Sequence, residues 1–157
     1  RVLVMGDAAA APLVAALRAA TDGLSWAQGE AAVTAEPTAD VIDLTGRTDL
    51  AAVVGWLRAS RAFVGNDSGL MHLAAALGVP TVGLFGSSNP DWTRPLGPRT
   101  LALAADGFDC RPCYRRTCNR SEFCLDTLDG RRVHAAALAL AEQGHAPGVG
   151  PRGGDGR

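Results

Sequence analysis

The chain contains no lysine, and all fifteen of its basic residues are arginine. With alanine and glycine abundant, this bias reflects a GC-rich genome and carries no functional weight. Neither charge is in surplus: the formal net charge is -1, so no basic surface points to nucleic acid or to an acidic membrane. There is no uninterrupted apolar run of about 18 residues, the length a membrane-crossing helix needs. No charged-then-apolar signal peptide precedes the first strand-like run, Arg1-Val2-Leu3-Val4-Met5-Gly6. That run has no initiator methionine ahead of it, and the chain reads as a piece of a longer one. Internal repeats are absent. So are a nucleophile elbow and a Ser-His-Asp ordering, and the glycine-rich tail lacks the strand that a phosphate loop follows.

What is present suits one compact α/β domain. The chain has 157 residues, 47% of them apolar, enough to build a core. Strands are expected at 1–6, 41–46, 61–65, 81–86 and 100–105, with a further short one near 32–34. Helices are expected from Pro12, with Leu13, Leu17 and Ala20 on one face, and after Asp49, with Leu50, Val53, Val54 and Leu57 on one face. Two more follow at 69–77 and 130–143. The segment 87–99, rich in Pro and Ser, reads as a loop. Strand-helix alternation with apolar strands argues a Rossmann-like, doubly wound parallel sheet, in which ligands sit beyond the carboxyl ends of the strands. The domain is expected to span 1–143, with a cysteine-rich loop at 106–125. The tail, 144–157, has too little apolar mass to pack and reads as disordered.

Short polar residues crowd one strand-to-helix junction, Gly65-Asn66-Asp67-Ser68-Gly69-Leu70-Met71-His72. A helix start leaves about four backbone N–H groups unpaired and carries roughly half a positive charge, and a phosphate can use both. Asp67 or Ser68 could cap the helix, Gly69 would let a ligand approach the backbone, and His72 lies one turn in. An ordinary helix cap accounts for the same residues, so spacing alone leaves both readings open.

The stretch from Ala39 to Gly97 resembles the C-terminal lobe of glycosyltransferase family 9, which contains the ADP-heptose:lipopolysaccharide heptosyltransferases. The residues that carry the resemblance are Leu44, Gly46, Thr48 and Leu50; Asn66-Asp67-Ser68-Gly69 with His72 to Gly78; and Phe85-Gly86-Ser87-Ser88-Asn89-Pro90. It extends over roughly residues 1 to 142. The resemblance implies a GT-B architecture of two Rossmann-like lobes, with the donor held mainly by the second. It implies that Asp67 contacts the donor sugar and that Ser68, Gly69 and Leu70 hold the diphosphate through their backbone, with His72 close by. It also implies an inverting, metal-independent transfer from a nucleotide sugar such as ADP-heptose to a saccharide or lipid-linked acceptor, with no cofactor required. The implied location is cytoplasmic, with peripheral attachment to the inner membrane left open.

A helix terminus contributes about 0.3–2 kcal/mol toward an anion, while enzymic rate enhancement needs at least about 8 kcal/mol. The rest must come from groups this chain lacks. In the family the catalytic carboxylate sits in the N-terminal lobe, and a lysine of the first unit of the C-terminal lobe touches the donor. No catalytic residue is therefore expected here, and the chain alone should not turn over. Family members also carry acidic residues near the positions of Ala9 and Ala10, where Asp7 is the nearest substitute. The alternatives are a non-catalytic interaction module stapled through its cysteines, or a GT-B transferase using another nucleotide sugar.

Cys110, Cys113, Cys118 and Cys124 form C-x2-C-x4-C-x5-C. Four soft ligands could close a tetrahedral structural zinc site, and reduced thiols or disulfides remain as alternatives. Arg111, Arg115, Arg116 and Arg120 could favour metal or redox chemistry, form a solvated rim, or face an anionic acceptor. Trp92 is expected to fold back onto the core, Trp56 to lie in it, and Arg47 to be exposed. His134 and His145 carry no partner signature.

Overall fold

A computed structural model describes residues 1–35, 38–115 and 117–143. The expected disordered tail with His145, and Arg116, lie outside the described residues. The chain divides into two compact units, Arg1–Val53 and Val54–Arg157.

In the first unit, β1 (Val2–Val4), β2 (Trp26–Gln28) and β3 (Val41–Asp43) form a parallel sheet in the order β1-β3-β2. Val41 stands level with Val2 on one side and Trp26 on the other. The central position explains why Val41, Ile42 and the following Leu44 are buried. The expected strand near 32–34 is instead a short helix, α2 (Ala32–Ala35), and the strand lies earlier, at β2. Three residues, Trp-Ala-Gln, are too few to show a period of two, so pairing with β3 decides the matter. Helix α1 (Ala11–Ala20) forms as expected, with Pro12 in its first turn, but it contains no buried residue. Leu13, expected on its inward face, is 74% exposed, and Leu17 is exposed as well.

Helix α3 (Leu50–Ala59) runs across the division between the units. The Asp49 carboxylate accepts from the Ala52 N–H at 2.8 Å, the expected cap. Val53 and Leu57 are buried, whereas Leu50 is exposed.

In the second unit, β4 (Phe63–Asn66), β5 (Thr81–Phe85) and β6 (Thr100–Ala104) form a parallel sheet in chain order. Helix α4 (Gly69–Ala76) joins β4 to β5, and helix α6 (Gly130–Glu142) closes the described chain. Alternate residues of β5 point to opposite faces. A Cβ added at Gly83 would meet Met71 Sδ of α4 at 2.6 Å. Its neighbour Leu84 lines a groove with Val133 and Ala137 of α6. The two helices therefore cover opposite faces of the sheet, the doubly wound arrangement, and Thr81, Val82 and Phe85 are fully buried between them. Helix α4 stops at Gly78, whose φ of 75° suits glycine, while the Gly78 and Val79 N–H groups close on the Ala75 and Ala74 carbonyls.

Candidate functional site

The site lies in the second unit, at the carboxyl ends of β4 and β5. Strand β4 ends at Asn66, and Ser68 is the extended residue before α4, with φ -157° and ψ 164°. The Ser68 hydroxyl makes no cap hydrogen bond, which corrects its reading as a side-chain cap. An uncapped start keeps first-turn amides available to another acceptor. A Cβ added at Gly69 would meet nothing within 4 Å, so there is open space beside its α-carbon.

Asp67 is half-buried and held from two sides. Its Oδ2 accepts from the Thr93 hydroxyl at 2.7 Å. The His72 Nε2 stands 3.8 Å from its Oδ1, attractive when the imidazole is protonated. Thr93 closes a short helix, α5 (Pro90–Thr93), where a plain loop is expected. The Asn89 side chain caps it by accepting from the Asp91 N–H at 2.9 Å, with proline in the first turn. Asn89-Pro90 is the signal that could have located this helix, but nothing local in the sequence ties Thr93 to Asp67, 26 residues away.

A cavity of about 600 Å³ opens beside Asp67, walled by Asn66, Asp67 and Leu84 on one side and by the loop after β6 on the other. Ser68, Gly69, Leu70 and His72 do not line it. The structure thus brings Asp67 and His72 together, and it places the helix-start residues next to the cavity wall rather than in it.

The loop after β6 is fastened to the strand ends by Arg111. Its guanidinium donates to the carbonyls of Gly86 and Ala105, and to Phe85 at 3.2 Å. Arg111 is therefore not part of a solvated rim: it is half-buried and spent on backbone carbonyls. The Cys113 and Tyr114 N–H groups both donate to the Ser87 carbonyl, at 2.9 and 3.0 Å. Presenting two successive amides to one oxygen bends the chain sharply, and Tyr114 takes a left-handed φ of 51°. Gly86 admits the 3-10 turn Cys124–Thr127, because a Cβ there would meet Leu125 Cγ at 2.7 Å.

All four cysteines are free thiols, and all four line the cavity. Cys124 is buried, Cys110 and Cys113 are half-buried, and Cys118 is exposed. Among the described residues no three His, Cys, Asp or Glu side chains are gathered as metal ligands. Arg115 and Arg120 line the cavity, and Arg120 also pairs with Asp109 at 2.7 Å on the surface. Trp92 does not fold back onto the core. It is 73% exposed and lies nearly parallel to Tyr114, with ring centroids 6.2 Å apart. In the first unit Asp7 and Arg47 are exposed. His134 is exposed on α6. No helix among the described residues is long and apolar enough to cross a membrane.

Comparison with known proteins shows which family the chain resembles. Two curated relatives are lipopolysaccharide heptosyltransferase 1 of Pseudomonas aeruginosa, 47% identical over 72 residues, and lipopolysaccharide heptosyltransferase 2 of Salmonella typhimurium, 50% identical over 73. Each alignment covers 46% of this chain, and they cover 20% and 21% of those proteins. The chain spans well under half of a similar solved structure, E. coli ADP-heptose LPS heptosyltransferase II. That likeness covers 91% of this chain and 37% of the other, with 30% identity and a TM-score of 0.66. A family 9 glycosyltransferase of Veillonella parvula shares the fold at 21% identity, with a TM-score of 0.56 over 90% of this chain and 46% of the other. The sequence model of glycosyltransferase family 9 (heptosyltransferase) matches residues 20–123, and the chain belongs to that family.

Proposed function

We propose that this chain is the donor-binding part of an inverting, metal-independent GT-B glycosyltransferase. The complete enzyme would move a heptose from ADP-heptose, or a close relative, to a lipopolysaccharide-type acceptor. The observation that carries this reading is the Asp67 carboxylate, fixed by Thr93 beside His72, at the uncapped start of α4.

An oriented carboxylate next to unpaired amides offers two kinds of contact to one ligand. Asp67 accepts from hydroxyls of the donor sugar. The amides of Ser68, Gly69 and Leu70 receive the diphosphate, where the helix dipole favours negative charge. His72 in its protonated form adds a further donor. An acceptor hydroxyl, deprotonated by a carboxylate from outside this chain, attacks the anomeric carbon. The bond to the diphosphate breaks, and the charge growing on the departing nucleotide meets the α4 terminus. In this reading the α4 terminus and His72 take the place of a cation at the diphosphate. The complete enzyme would act in the cytoplasm, with peripheral attachment to the inner membrane left open.

Isothermal titration of the chain with ADP and with ADP-heptose tests this. Millimolar or tighter binding is expected, lost in Asp67→Ala and in Gly69→Val, whose added side chain has room in the fold but obstructs the ligand. Absence of binding to either nucleotide defeats the proposal. A preference for UDP or GDP would keep the donor site and change the base.

A further inference from the structure

The four cysteines are unused by the proposed transfer, yet every one of them faces the cavity that Asp67 lines. They are graded in access from buried Cys124, through half-buried Cys110 and Cys113, to exposed Cys118. Two arginines, Arg115 and Arg120, stand in the same wall. The cavity, at about 600 Å³, falls within the range of small-ligand clefts, roughly 300–1,000 Å³.

We infer that this cavity is a thiol-exchange site for a small acidic disulfide, with Cys118 as the attacking group, and that the resulting adduct fills the space beside Asp67. Thiolates, not thiols, carry out such exchange, and access selects which cysteine reacts first. The Cys118 thiolate attacks one sulfur of the disulfide. A new S–S bond forms, the old one breaks, and the departing thiolate takes up a proton from water. The attacked sulfur stays at the disulfide level, now bonded to Cys118, and the other leaves at the thiol level, so the number of S–S bonds is conserved and no further oxidant is needed. The Arg115 guanidinium complements a carboxylate on the adduct, while that of Arg120 is shared with Asp109. Around Cys118 the Arg120 N–H donates to the sulfur at 3.5 Å, which seats it on the cavity wall.

Two consequences follow from one shared cavity. The adduct shields the half-buried thiols, and it excludes any ligand that reaches Asp67. The second consequence rests on the donor-site reading, whereas the first does not.

The test uses the full chain and oxidised glutathione. Intact-mass and peptide mapping are expected to give one adduct, on Cys118 and absent in Cys118→Ser. Maleimide alkylation of Cys110 and Cys113 should slow at least tenfold once the adduct forms, and ADP-heptose binding should weaken at least tenfold. Dithiothreitol should reverse both effects. The inference is overturned if Cys118→Ser is modified as fast as the unaltered chain, or if Cys110 and Cys113 react at an unchanged rate. It is also overturned if ADP-heptose binds equally well with the adduct in place. A reduced chain that binds no nucleotide sugar counts against the donor site alone, because the alkylation rates still decide this one.

Discussion

After β1 the chain passes through Gly6, Asp7 and three alanines into α1; after β4 it passes through Asn66, Asp67 and Ser68 into α4. Each junction puts an aspartate between a parallel strand and a helix. Asp7 is exposed, makes no cap hydrogen bond, and leads to a helix with no buried residue. Asp67 is half-buried, is hydrogen-bonded by Thr93, and leads to a helix that buries Met71, Ala74 and Ala75. The two acids differ in whether a second segment reaches back to orient them. Here that segment is α5, and the second unit has it while the first has no counterpart among its described residues.

The largest test of this contrast concerns packing. Met71→Ala should cost about 2–5 kcal/mol, because Met71 is fully buried against the Gly83 side of β5. Leu13→Ala on α1 should change stability by no more than about 0.5 kcal/mol. Urea denaturation measures both, and comparable losses would erase the distinction between the helices.

Next in size is Arg111→Ala. It leaves the Gly86, Ala105 and Phe85 carbonyls without their cationic donor, at about 1.5–3 kcal/mol, the range for hydrogen bonds to charged groups. The loop should loosen, and alkylation of Cys110 and Cys113 should quicken. An unchanged alkylation pattern would show that the loop is fastened elsewhere.

A smaller effect separates the two aspartates directly. Thr93→Val removes one hydrogen bond to Asp67, worth about 0.5–1.5 kcal/mol. Affinity for ADP-heptose, measured by titration, should fall roughly two- to tenfold, and Asp7→Asn should leave it unchanged. Equal losses would spread the donor site over both junctions.

The smallest concerns acid. The Ser25 N–H and hydroxyl both donate to the Asp40 carboxylate, at 2.9 and 2.8 Å, and hold it below the usual carboxylate range. A carboxylate lowered in the folded state stabilises fully above its unfolded value, about 3.9, and loses that contribution as pH falls through the lowered value. Asp40 is exposed, so Asp40→Asn should flatten the acid limb of a stability–pH curve for the first unit only slightly. A steep change would mean that Asp40 does more than tie β3 to the Ser25 turn.

Legibility followed the length and periodicity of each element. Strands β4, β5 and β6 and helices α4 and α6 were readable, because apolar runs bounded by Gly, Asn and Asp leave few alternatives. Strand β2 was not, since three residues show no period and only β3 made a strand of them. Helix α1 was readable as a helix but not as an exposed one, because spacing states which residues share a face and not whether anything covers it. The motif from Asn66 to His72 marked the neighbourhood of the candidate site. It said nothing of Thr93 or Arg111, which lie more than 15 residues further along, or of the cavity that Asn66 and Asp67 help to wall.

The sequence by itself determined the α/β alternation, the family, and the polar junction at the end of β4, since these depend on local propensity and on residues within a few positions of one another. Only the tertiary structure decided that Asp67 is oriented by Thr93, that Ser68 leaves its helix uncapped, and that four thiols share a cavity with that carboxylate. Hydrogen bonds and cavities of this kind join segments far apart in the chain. No local pattern encodes them, because they exist only once packing has brought the segments together.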